Sequence, residues 1–276
     1  MSISAADFDF VSALVRQSSA IVLAPGKEYL VESRLLPLVK TAGVADVAQF
    51  VAALRRQPSG PLRSQVVEAM TTNETSFFRD AHPFTALATT ILPELIKARA
   101  ATRTINIWCG AASSGQEPYS IAMLIDEALA GHPGWTVRLL ATDISAQMLE
   151  RTRTGVYSQL EVNRGLPAPK LVKYFRREGS GWQVDQRLRS MVQTRLMNLD
   201  APWPSMPAVD LIFLRNVLIY FDVPTKQRIL GRVRATLKPD GYLFLGGAET
   251  TLNIDNGFER TQIGPAPAYR LRPEPT

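Results

Sequence analysis

The spacing of apolar residues changes character near residue 100. Before it, apolar side chains recur every three or four positions, as in DFDFVSALVRQSSAIVL (residues 7–23) and DVAQFVAALRRQ (residues 46–57), the period of one helix face. PGK and QPSGP break these stretches, so the first part of the chain is expected to be a small helical domain. A further helical stretch, Ile91 to Ala101, leads into the second part. There, short apolar runs alternate with amphipathic ones. Strands are expected at Ile105 to Trp108, Val137 to Ala141, Val192 to Met197, Leu211 to Leu214 and Tyr242 to Gly246, with last strands at Phe258 to Ile263 and Ala268 to Leu271. Helices are expected at Pro118 to Ala130, Ala146 to Arg153 and Pro224 to Leu237. The alternation predicts an α/β fold with a parallel sheet covered on both faces. The expected organisation is a helical domain over 1–80, a linker and helix over 81–103, and a sheet domain over 104–276. Residues 155–190 interrupt the alternation. They form either a small inserted subdomain, with a turn and strand in GSGWQVDQRLR, or an irregular crossover carrying one helix at Pro169 to Arg176.

The stretch TINIWCGAASSGQEPY (residues 104–119) carries the strongest chemical signal, an apolar strand ending in a small-residue turn from which a helix starts. Gly110 to Gly115 keep the backbone thin enough for a ligand to lie against it. The turn lacks the lysine of a phosphate loop and the full glycine pattern of a dinucleotide site. Tight strand-to-helix packing would produce the same composition. The next strand ends in Asp143, placed either to meet the two hydroxyls of a ribose or to cap the helix starting near Ala146.

Composition narrows the chemistry. With 46% apolar and 20% charged residues in 276, the chain can bury a sizeable core, and no apolar run reaches a membrane-spanning length. The N-terminus lacks a signal-peptide pattern, so a cytoplasmic location without membrane insertion is expected. A single cysteine, Cys109, with only His82 and His132 as imidazoles, argues against zinc, a Cys-His pair or a Ser-His-Asp triad, and no metal is expected. The net charge of +6 is uneven: residues 151–195 hold ten basic side chains against three acidic ones, whereas residues 1–80 hold eight of each. Such an excess could attract an acidic partner or merely be a solvated surface. No nucleic-acid-binding motif accompanies it.

Several segments then converge in order: MTTNETSFFRD (70–80), CGAASSGQEPYS, ATDIS, MNLD (197–200), FLRNVLIYF (213–221) and LKPDGYLFLGGAE (237–249). As a set they resemble the CheR family of chemotaxis receptor methyltransferases, and the resemblance covers nearly the whole chain. It implies a Rossmann-like class I methyltransferase sheet with an all-helical N-terminal domain and an inserted accessory subdomain. It also implies methyl transfer from S-adenosylmethionine to glutamate side chains of chemoreceptor cytoplasmic domains, with S-adenosylhomocysteine as product. By motif, Asn73, Thr75 and Arg79 match the segment closing over the methionine part of the cofactor. Glu117 matches the acid near its amino group, Asp143 the ribose acid, and Asn198 and Leu199 the segment beside the adenine. Gly110 opens the cofactor turn, and Arg215, Asn216 and Tyr220 line the transfer site. Arg79 and Tyr220 are the candidate catalytic residues. The family turn usually reads Cys-Ser-Thr-Gly-Glu-Glu, whereas this chain has Ala112 to Glu117 with Gln116 replacing one acid. Some family members bind a C-terminal receptor pentapeptide through a longer glycine-containing loop. The corresponding RREGSGWQV (176–184) is short, so docking is expected to be independent of that tether, through Lys27, Arg34 and Lys40 of the N-terminal helices. The competing readings are a carboxyl methyltransferase for another protein or a small acid, and a non-catalytic cofactor sensor.

Overall fold

The computed structural model describes residues 3–57 and 59–273. Its contacts divide the chain into two units, 1–72 with 220–226 and the remainder. The division at Thr72 assigns Asn73 to Asp80 to the sheet-bearing unit, because Phe77 is fully buried there, edge-on to Tyr157 and Phe175 at 5.1 and 5.7 Å.

The helical unit contains α1 (Ala5–Ser19), α2 (Glu28–Ala42), α3 (Val47–Arg56) and α4 (Pro61–Met70). Ser4 and Asp46 start α1 and α3 by accepting the backbone N–H groups of Asp7 and Gln49, which would otherwise lack partners. Gly43, with φ of 66°, ends α2 in the left-handed conformation that glycine adopts without steric cost. The expected three- and four-residue spacing is realised in the core, where Val11, Leu14, Val15, Val31, Leu35, Phe50, Leu54, Val66 and Met70 are buried.

The sheet-bearing unit opens with α5 (His82–Ala86), a π-helical turn (Leu87–Ile91) and α6 (Leu92–Ala98). The helix predicted at Ile91 to Ala101 therefore starts nine residues earlier, at Pro83-bearing α5, since proline is well tolerated in a first helical turn. Then follow β1 (Thr104–Gly110), α7 (Gln116–Ala128), β2 (Thr136–Asp143) and α8 (Ala146–Thr154). The insertion comprises β3 (Val156–Tyr157), α9 (Gln159–Asn163), α10 (Ala168–Tyr174), β4 (Phe175–Glu178), β5 (Gly181–Val184) and α11 (Gln186–Met191). Its strands form an antiparallel sheet in the order β3-β5-β4, so this region is a subdomain that also contains the helix of the crossover alternative. The chain closes with β6 (Val192–Leu196), β7 (Val209–Leu214), a 3-10 turn (Leu218–Tyr220), α12 (Val223–Thr236), β8 (Leu237–Phe244), β9 (Phe258–Ile263) and β10 (Ala266–Leu271).

The main sheet runs β6-β2-β1-β7-β8-β10-β9, parallel except for β10, which is antiparallel to both neighbours. Strand β1 is buried on both faces, as a central parallel strand must be. Ile105, Ile107 and Cys109 join the core cluster that holds Leu87, Ile91, Tyr119 and Ile121, while Trp108 meets Trp203 edge-on at 4.8 Å. LKPDG forms a bulge within β8, where Leu237 pairs with Val209 and Tyr242 with Leu211. At the N-terminal end of the strands, fully buried Asp210 accepts from Arg99 Nε at 2.6 Å, Lys238 Nζ at 2.8 Å and the Asn106 N–H at 2.7 Å. Arg99 also grips Asp240 at two points, 2.6 and 2.8 Å.

Candidate functional site

Strand β1 lies between β2 and β7, the point at which strand order reverses, and in open α/β sheets the crevice beyond the carboxyl ends at such a point is the ligand site. The turn from Gly110 to Gly115 sits there. Both of its glycines are required by the protein's own packing. A Cβ on Gly110 would come within 2.8 Å of Leu214 Cδ1, and one on Gly115, whose φ is 97°, within 2.8–2.9 Å of Thr152 and the Tyr157 hydroxyl. The backbone between them is tightly held. Ala112 donates to the Thr142 carbonyl at 2.9 Å, the Ser113 hydroxyl to the Asn73 carbonyl at 2.8 Å, and the Tyr157 hydroxyl to the Ser114 carbonyl at 2.7 Å. Asn73 is thereby brought to the turn, with half-buried Thr75 following it in the same segment.

Asp143 does not cap α8; Ser145 does, accepting the Met148 N–H. The Asp143 carboxylate is buried and accepts the Ser113 N–H at 2.8 Å and the Ser145 N–H at 2.9 Å, one on each oxygen. Two loops are thus locked to one carboxylate, and each of its oxygens can accept more than one bond. The strand next to it ends close by: Met197 donates to the Asp143 carbonyl at 2.9 Å, and Asn198 and Leu199 follow it. Their loop is fixed from below, since Arg232 Nη1 donates to the carbonyls of Leu199, Asp200 and Ala201 and Trp203 Nε1 to that of Leu199.

On the other side of β1, Arg215 directly follows β7, and its side chain is only 1% exposed. Nη1 donates to Glu117 Oε2 at 2.5 Å, and Nη2 donates to Asp80 Oδ2 at 2.7 Å and to the Arg79 carbonyl at 3.0 Å. Its buried Nε has no partner among the described residues. Glu117, in the first turn of α7, also accepts from Cys109 Sγ at 3.3 Å. Burial foremost, and then the Glu117 carboxylate, push the Cys109 thiol far above its ordinary range, so it stays neutral. Around the Arg215 contact, Phe78, Asp80 and Ala81 hold positive φ values of 49°, 65° and 34°. Backbone strain of this kind persists only where the surroundings impose it, here through Arg215 and the Phe78 N–H bond to the Ser120 hydroxyl at 3.0 Å.

Of the two arginines near the turn, Arg215 alone is buried. Arg79 is half-buried and rests Nη1 on the Glu74 carbonyl at 3.0 Å. Gln116 accepts the Ser114 hydroxyl at 2.9 Å and shapes the turn. Asn216 has φ of 59° and directly follows Arg215. Asp80 was missed in the sequence, where it is only the exposed neighbour of Arg79; nothing in the pattern shows that it pairs with a residue 135 positions away.

The other expected residues lie in the helical unit. Tyr220 is half-buried, and its carbonyl accepts the Val22 N–H at 2.9 Å. Lys27 and Lys40 are exposed. Arg34 donates to the Met70 carbonyl at 2.5 Å and the Thr72 hydroxyl at 2.8 Å. The basic segment is likewise less naked than its sequence: Arg151, Arg153, Arg164, Lys170, Lys173 and Arg187 pair with Glu161, Glu150, Glu74, Glu127 and Asp126.

Comparison with known proteins agrees with this geometry. The sequence profile described as "CheR methyltransferase, SAM binding domain" matches residues 73–265, and "CheR methyltransferase, all-alpha domain" matches residues 6–71. "Chemotaxis protein methyltransferase 1" of Pseudomonas aeruginosa is 42% identical over 276 residues, covering 99% of this chain and 100% of the relative. The chemotaxis protein methyltransferase of Escherichia coli is 38% identical, covering 94% and 89%. The donor set suits the cofactor. S-adenosylmethionine carries a sulfonium, an ammonium and one carboxylate, and the site offers Glu117, Asp143 and Asp80 against Arg215 and Arg79, a negative balance for a positive ligand. Among the described residues, no group of acidic, histidine and cysteine side chains could hold a metal. The chain belongs to the CheR methyltransferase family, with a class I methyltransferase sheet that takes S-adenosylmethionine as its cofactor.

Proposed function

We propose that the protein methylates glutamate side-chain carboxylates of chemoreceptor cytoplasmic helices, giving the methyl esters of sensory adaptation. The observation that carries this reading is the buried Arg215, which joins Glu117 at the cofactor turn to the segment bearing Arg79, in a chain whose relatives are chemotaxis protein methyltransferases. The bound cofactor supplies an electrophilic methyl group on a sulfonium. A glutamate, ordinarily titrating near pH 4.3, is ionised at neutral pH and needs no base to become a nucleophile. The residues of the chain then have to orient the acceptor and exclude water. Arg79 suits orientation because its planar fork can hold a carboxylate at two points. Its contact with the Glu74 carbonyl uses one nitrogen only.

Arg79→Ala and Tyr220→Phe are expected to fold normally and to lower the initial rate of methyl transfer to a receptor fragment, Arg79→Ala by more. Rates measured beside melting curves test this, and near-normal turnover in both variants would remove the two residues from the site. Asp143→Ala is expected to weaken both S-adenosylmethionine and S-adenosylhomocysteine by about 1–3 kcal/mol, the cost of unpaired ribose hydroxyls. Titration calorimetry reads it directly. Unchanged affinity would place the ribose elsewhere.

Docking is proposed to proceed without a receptor-tail tether. The β4–β5 connection is a two-residue turn, with Glu178 paired to Gly181 and Gly179 at φ of 55°, so it offers little loop to enclose a peptide. Exposed Lys27 and Lys40, with Arg34, are the proposed contacts. Binding to a tail-less receptor fragment should weaken steeply as salt rises, because charges are screened beyond about 8 Å at physiological ionic strength. Tight binding of an isolated tail peptide, with activity lost on the tail-less fragment, would overturn this.

A further inference from the structure

One carboxylate outside the set described so far gathers five backbone donors. Glu249 Oε2 accepts the N–H groups of Gly246 at 2.6 Å and Asn216 at 2.7 Å. Its Oε1 accepts those of Val217 at 2.9 Å, Leu218 at 2.6 Å and Ile219 at 3.3 Å. Four successive amides leaving β7 therefore converge on one side chain carried by the segment that follows β8. We propose that Glu249 is a positioning residue for cofactor binding, which sets the backbone carrying Arg215 and Asn216 by filling this ring of donors.

The surrounding residues are shaped for that contact. A Cβ on Gly246 would stand 2.6 Å from Asn216 Nδ2, 2.7 Å from Glu249 Oε2 and 2.9 Å from the Asn216 nitrogen, so only glycine lets the two segments close on each other. Asn216 holds φ of 59°, a conformation that costs a non-glycine residue energy unless its neighbours enforce it. An ionised carboxylate is an acceptor at both oxygens, and bonds from backbone N–H to a charged acceptor are about twice as strong as neutral ones. Glutamine at this position would turn one oxygen into an amino group facing amide donors. Glu249 also excludes other anions from these amides, so they serve to fix the segment rather than to bind the acceptor.

The inference rests on the assignment of this region as the cofactor site, and its test separates the two. Glu249→Gln, Gly246→Ala and the double variant, each in the full chain, are titrated with S-adenosylhomocysteine well below their melting temperatures, and amide hydrogen exchange is followed. In each single variant the Kd is expected to rise about tenfold with the number of sites unchanged, and exchange at Asn216 to Ile219 to accelerate about tenfold while β1 and β2 keep their protection. The double variant should bind no more than about twofold worse than Glu249→Gln, because both changes remove one contact. A fall in the number of sites at wild-type Kd would mean that Glu249 only supports folding, and wild-type Kd with wild-type exchange would mean that it does nothing; either overturns the inference. Absence of binding by the wild-type protein would instead defeat the cofactor site, and the inference with it.

Discussion

Arg215→Met should abolish cofactor binding and methyl transfer and lower the melting transition by roughly 10 °C. The Arg215 side chain is 1% exposed and Glu117 11%, so removing the guanidinium strands a carboxylate in a dry site. Breaking a buried pair from one side costs about 3–5 kcal/mol, far more than the pair itself contributes, because the remaining charge loses both solvent and partner. Asp80 matters less to stability, being 53% exposed on its side chain, but its release frees the strained Phe78 to Ala81 backbone that carries Arg79. Adding Glu117→Gln to Arg215→Met should restore most of the stability and none of the binding. Recovery of both in the double variant would show that the pair has no role beyond folding.

Asp210→Ala is expected to cost a similar 3–5 kcal/mol with the opposite functional result. Asp210 is fully buried and holds Arg99, Lys238 and the Asn106 amide at the end of the strands away from the cofactor turn. Its loss leaves Arg99 with Asp240 alone and Lys238 without its acceptor. Melting curves should shift as far as for Arg215→Met, while the Kd for S-adenosylhomocysteine, titrated well below the transition, stays at the wild-type value. A weakened Kd would show that the two ends of the sheet are coupled. Together the variants separate loss of stability from loss of the site.

The central strands β1 and β7 were legible because they are short apolar runs bounded by polar turns, which is what burial on both faces demands. Asp143 could be placed at a strand end by pattern alone, whereas that Ser145 and not Asp143 caps α8 shows only in the fold. The KPDG bulge was hidden. Its form depends on Gly241, where a Cβ would meet Leu237 Cδ1 at 2.6 Å and the Asp210 carbonyl at 2.9 Å, a contact across strands that no local pattern records. The partners of Arg34, Arg164 and Arg187 were hidden for a related reason: a charge count sees cations, whereas the carbonyl and carboxylates they meet come from distant parts of the chain. Glu249 likewise closes an apolar strand motif and shows its role only when 33 residues of separation from Asn216 are folded away.

The most direct test of the proposed activity is the chemistry of the bond formed. Wild-type protein, with Arg215→Met and Asp210→Ala beside it, is incubated with methyl-labelled S-adenosylmethionine and cytoplasmic fragments of several chemoreceptors, and the labelled peptides are treated with mild base. The predicted result is label on receptor glutamates that base releases, formed by the wild type and by Asp210→Ala at a temperature where it is folded, and not by Arg215→Met. No label on any receptor fragment from a wild-type sample that binds the cofactor, or label that survives base, would contradict it.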